Sequence, residues 1–183
     1  MSRNILYADD NTEPISVLLK IRLPSLLIGL GLGVIVSFAT SRFEQVLSQN
    51  VKVSFFLPFI MYMADAIATQ TQSIYSRNLK SGKVKFYRYL IKELCLGLLI
   101  GIAFGIISGA VVQIWFSDNR LALSVGLSMF AVTASAPTVA LFITQIMQML
   151  HKDPAASSGP IDSVIQSMLS VLIYGTICSM ILL

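Results

Sequence analysis

Five apolar stretches alternate with short polar ones along the chain, at about residues 23–43, 53–76, 87–116, 121–149 and 160–183. Each is long enough to cross the hydrocarbon core of a bilayer as a helix, which takes roughly 20 mostly apolar residues. The predicted fold class is therefore all-α, a polytopic membrane protein with five transmembrane helices. No polar segment between the spans is long enough for a soluble domain, so residues 23–183 read as one domain behind a cytoplasmic tail, residues 1–22. Ile15–Leu19 suggest an interfacial helix turn in that tail. Pro24 suits the first turn of the first span, where its missing N–H costs nothing.

Polar positions inside the spans carry the functional signal. Asp65 interrupts the second span, followed by Thr69, Gln70, Thr71 and Gln72. An ionised Asp at a bilayer centre costs about 2.5–3.5 kcal/mol, so something cationic or aqueous must offset it. On a helix, Asp65 shares a face with Thr69 and Gln72, and Gln70 and Thr71 lie at its edge. The competing reading is a structural Asp paired to a neighbouring helix. The fifth span carries a second polar sector, with Ser163, Ser167, Ser170 and Tyr174 in one stripe flanked by Asp162 and Gln166. Asp162 is equally suited to capping a helix opened by Pro160. At 1.5 Å per residue, Asp65 lies about 16 Å and Ser167 about 12 Å from the cytoplasmic ends of their spans. These depths let the two face each other, with Asp162 and Gln72 nearer the inner mouth.

Other features read as packing. Gly97, Gly101, Gly105 and Gly109 form a row without side chains, suited to a close helix contact within a protomer or across a dimer, and Gly29 and Gly33 repeat that spacing. Glu93 reads as an interfacial acid paired to Lys92 or Arg88. Pro137 frees a carbonyl that Thr133, Ser135 and Thr138 are placed to satisfy. Cys95 and Cys178 are lone residues in apolar segments, so neither a disulfide nor a thiolate metal site is expected.

Composition agrees with the membrane reading. Of 183 residues, 55% are hydrophobic and only 12% charged, about half the charge of an average soluble domain. The net charge of +4 comes from basic residues beside the spans, which argues topology rather than nucleic-acid binding. With five spans, ten Lys and Arg fall on one side and only Arg42, Lys52 and Arg120 on the other. That places the N-terminus in the cytoplasm and the C-terminus outside, in an inner or plasma membrane. Trp115, Phe116, Tyr87 and Tyr89 mark the two interfaces. The first twenty residues lack a basic then apolar pattern, so no cleaved signal peptide is expected. A single His, His151, no H-E-x-x-H and no P-loop argue against an enzyme.

Several short motifs occur in a telling order. Leu57-Pro58 precedes the second span, which carries Thr69-Gln70 and ends in Ser76-Arg77-Asn78-Leu79. Lys92-Glu93 leads into Gly97-Leu-Leu-Ile-Gly101, and Asp153-Pro-Ala-Ala-Ser-Ser158-Gly-Pro160 precedes a last span with Leu172-Ile-Tyr174. From about residue 22 to its end, the chain resembles the membrane domain of the MgtE family of magnesium channels and transporters. The resemblance implies an MgtE-like transmembrane domain, five helices per protomer, acting as a homodimer. Its path would run along the dimer axis, lined by the second and fifth spans. Two departures stand out: Asp65-Ala66 replaces a Gly/Asn-rich stretch, and the family's fifth-span aspartate falls at Ser167. The cytosolic regulatory domains typical of the family are expected to be absent, so magnesium-sensing gating through them would operate only if another subunit supplies it.

The expected function is transmembrane transport of a divalent cation, Mg²⁺, as cargo in a largely hydrated state, with no organic cofactor. Asp65 and Asp162 would attract it, and Thr69, Gln70, Gln166 and Ser167 would contact it. The expected partners are membrane lipid and a second copy of the chain. A Na⁺- or H⁺-coupled exchanger and a non-transporting membrane scaffold are the alternatives.

Overall fold

Six helices follow one another in the computed structural model, which describes residues 14–80, 85–150 and 154–183. They are α1 (Ile15–Ser41), α2 (Glu44–Gln49), α3 (Val51–Lys80), α4 (Phe86–Phe116), α5 (Asn119–Met149) and α6 (Pro154–Leu182). All but the short α2 are long and apolar enough to cross a membrane, which gives the five expected spans. No strand occurs among the described residues. Asp9, Asp10, Glu13, Lys83, His151, Lys152 and Asp153 lie outside them.

Two expectations at the start of the chain change. Helix α1 begins at Ile15 rather than near residue 23, so the supposed interfacial turn is the first part of the span itself. Pro14 stands at its N-cap and Pro24 lies inside it. A proline at the entrance is tolerated because the first N–H groups have no intrahelical partner.

Helices α3, α5 and α6 pack against one another around an apolar core of Val53, Phe56, Ile60, Ala64, Val125, Met129, Val132, Ala136 and Cys178. Helix α4 lies along α5, and α1 touches α6. The α4–α5 connection is tight for a local reason. Ser117 takes a left-handed conformation (φ 51°) that ends α4, and the Asp118 carboxylate accepts from Leu121 N at 3.0 Å to cap α5.

That turn sets two rows with the same four-residue period face to face. A side chain at Gly97 would meet the Ala134 carbonyl oxygen at 2.5 Å, and one at Gly101 the Phe130 oxygen at 2.9 Å. Further along, Gly105 meets Gly126 and Gly109 meets Ala122. The glycine row is thus an intramolecular seat for α5. Gly33 of α1, by contrast, has open space around it and seats no neighbouring helix.

Candidate cation site

Asp65 sits on the border between the buried and exposed faces of α3. Ala64, Ile67, Ala68, Thr71 and Gln72 point into the protein, whereas Ala66, Thr69, Gln70 and Ser73 are exposed. At 100° per residue these are the two sides of one helix, with Asp65 between them. Its Oδ1 atom is buried and has no hydrogen-bond partner. The structural alternative, an Asp held by a neighbouring helix, leaves that oxygen unexplained.

The facing helix supplies the second acid. Helix α6 turns the row Asp162, Gln166, Ser170, Tyr174 and Cys178 inward, each one buried. Tyr174 anchors the row by donating to the Val53 carbonyl of α3 at 2.7 Å. Gln166 Nε2 donates to Asp162 Oδ1 at 3.3 Å and to the Ala136 carbonyl of α5 at 3.2 Å. Asp162 and Asp65 are close enough for their charges to repel. Two like charges near one another favour a cation close by.

The structure therefore brings together three of the expected residues: Asp65, Asp162 and Gln166. Ser167 is half-buried beside them, its hydroxyl donating to the Ser163 carbonyl at 2.8 Å, which leaves its oxygen lone pairs as acceptors. Thr69 and Gln70 are elsewhere, on the outward face of α3 with Ser73. Among the described residues no group of three or more His, Cys, Asp or Glu converges. Such a donor set, two carboxylates with neutral oxygens, suits a hard cation that keeps several waters.

Three expectations need correction. Asp162 is not a helix cap, because α6 begins at Pro154 and the acid lies about 12 Å inside it. Glu93 is not an interfacial acid paired to Lys92 or Arg88. It is buried and accepts from the Thr71 hydroxyl of α3 at 3.1 Å. The signal was present in its position four residues before Gly97, which extends the glycine row toward α5. Near the same end, Tyr75 donates to Gln145 Oε1 at 2.5 Å, and Asn78 bonds the Tyr89 hydroxyl. The hydroxyls near Pro137 do not reach the carbonyl it frees: Thr133 bonds Met129 O, Ser135 bonds Val132 O, and Thr138 Oγ1 is buried without a partner.

A family profile described as a divalent cation transporter, MgtE, matches residues 57–177. The chain belongs to the MgtE family. The matched stretch covers α3 through most of α6, and so contains both aspartates. The chain is 30% identical over 84% of its length to the magnesium transporter MgtE of Bacillus subtilis. The Enterococcus faecalis protein of the same name is 30% identical over 87% of the chain, and that of Thermus thermophilus 24% over 82%. In each case the chain spans only about a third of the relative's length: 35%, 36% and 34%. Family membership and five apolar helices make this a multi-pass membrane protein.

Proposed function

We propose that the chain passes Mg²⁺ across an inner or plasma membrane by a path lined by α3 and α6. The single observation that carries this reading is the approach of Asp65 to Asp162 while one Asp65 oxygen stays buried and unpaired. A hydrated divalent cation resolves the repulsion and supplies the missing partner in one step. The names of the relatives, magnesium transporters all three, support the choice of ion.

The outward face of α3 supports a second copy of the chain as the other wall. Thr69, Gln70 and Ser73 are exposed within a span, where hydrocarbon satisfies none of their hydrogen bonds. Two protomers related by a twofold axis would turn these oxygens toward a shared aqueous path beside Asp65. The orientation, N-terminus cytoplasmic, follows from the Lys and Arg bias.

The test is Mg²⁺ entry into proteoliposomes loaded with a magnesium-sensitive dye. Asp65→Asn, nearly isosteric, is expected to slow entry by roughly ten- to hundredfold while the protein keeps its helicity and oligomeric state. Unchanged entry in that variant removes the site assignment. Entry that needs a Na⁺ or pH gradient would select a coupled exchanger instead.

A further inference from the structure

We infer that the basic end of α4 binds the headgroup of an anionic phospholipid, independently of the transport reading. Lys85, Arg88 and Lys92 are spaced three and four residues apart, so they form one stripe on the helix. All three are exposed, and none has a side-chain partner among the described residues.

The neighbouring charge makes this stripe more than a topology signal. Between Asp65 and Asp118 the chain contains one acidic residue, Glu93. It adjoins Lys92 in sequence, yet it is buried and spent on the Thr71 hydroxyl. The fold has turned inward the only carboxylate of this stretch, leaving three cations on the surface without an acidic partner among the described residues. A bound anion would meet that charge.

The same stripe says which anion. Following it along α4 leads to Leu96, Leu99 and Ile106, all exposed. On a helix long and apolar enough to span a bilayer, this continuation faces acyl chains. The occupant therefore joins a negative head to a hydrocarbon tail in the register of the helix. Its phosphate lies among Lys85, Arg88 and Lys92, and its chain runs over Leu96 and Leu99.

Native mass spectrometry of the detergent-solubilised full chain tests this, with phosphatidylglycerol and phosphatidylcholine of identical acyl chains as probes. The intact protein is expected to retain phosphatidylglycerol in preference to phosphatidylcholine. The combined variant K85Q/R88Q/K92Q is expected to lose about 100-fold in affinity for the anionic lipid, at about fivefold per basic side chain. The control K52Q/R120Q, at the opposite end of the bundle, should keep the preference. Equal retention of both lipids by the intact protein overturns the inference. So does a preference that survives in the first variant, or one lost in the control instead.

Discussion

Asp65 of α3 and Asp162 of α6 lie on two helices packed against each other, near enough for their charges to act on one another. Their relative placement depends on Tyr174 and Gln166, which tie α6 to α3 and α5 by hydrogen bonds to backbone carbonyls. The pair is thus held by neutral groups, and no part of that hold neutralises its charge.

If a cation bridges the two acids, removing either should cost most of what removing both costs. Asp162→Asn is expected to slow Mg²⁺ entry by roughly ten- to hundredfold, the loss of about 1.5–3 kcal/mol of charged contact. The double variant with Asp65→Asn should be little worse than Asp65→Asn alone, because residues sharing one ligand are not additive. Initial rates in the dye assay measure this. Full multiplicative loss would mean two independent sites.

The glycine row should respond to a single methyl. Gly97→Ala drives a Cβ against the Ala134 carbonyl, a backbone atom that cannot swing aside. Overpacking of this kind costs about 1–3 kcal/mol. Gly33→Ala, with open space around it, is expected to leave the melting temperature of the solubilised protein unchanged or slightly raised. A comparable loss in both variants would refute the α4–α5 seat.

Glu93 separates charge from hydrogen bonding. Glu93→Gln keeps an oxygen acceptor for the Thr71 hydroxyl and should preserve thermal stability. Glu93→Ala strands that buried hydroxyl and should lower stability by about 1–3 kcal/mol. Equal melting temperatures for intact protein and Glu93→Ala would show that the bond holds nothing together.

Tyr174 offers a smaller, local effect. Tyr174→Phe removes only the donor to the Val53 carbonyl and is expected to cost about 0.5–1.5 kcal/mol, read as a lower melting temperature. Loosening α6 this way should also slow Mg²⁺ entry, since the same helix carries Asp162. Slower entry without any stability change would place Tyr174 in contact with the cation instead.

The sequence by itself determined the five spans and the two acids, because bilayer thickness dictates span length and a charge in hydrocarbon stands out in any apolar run. It also exposed the glycine row, since a four-residue period is visible without coordinates. What lay beyond it was partnership. The seat of the glycines on Ala122, Gly126, Phe130 and Ala134, the inward turn of Glu93 and the meeting of Asp65 with Asp162 all join residues far apart in the chain. Helix periodicity reports which residues share a face, but rotation and axial shift of one helix against another come from packing. The start of α6 at Pro154 shows the difference: six residues of extra helix moved Asp162 from a supposed cap into the body of the helix.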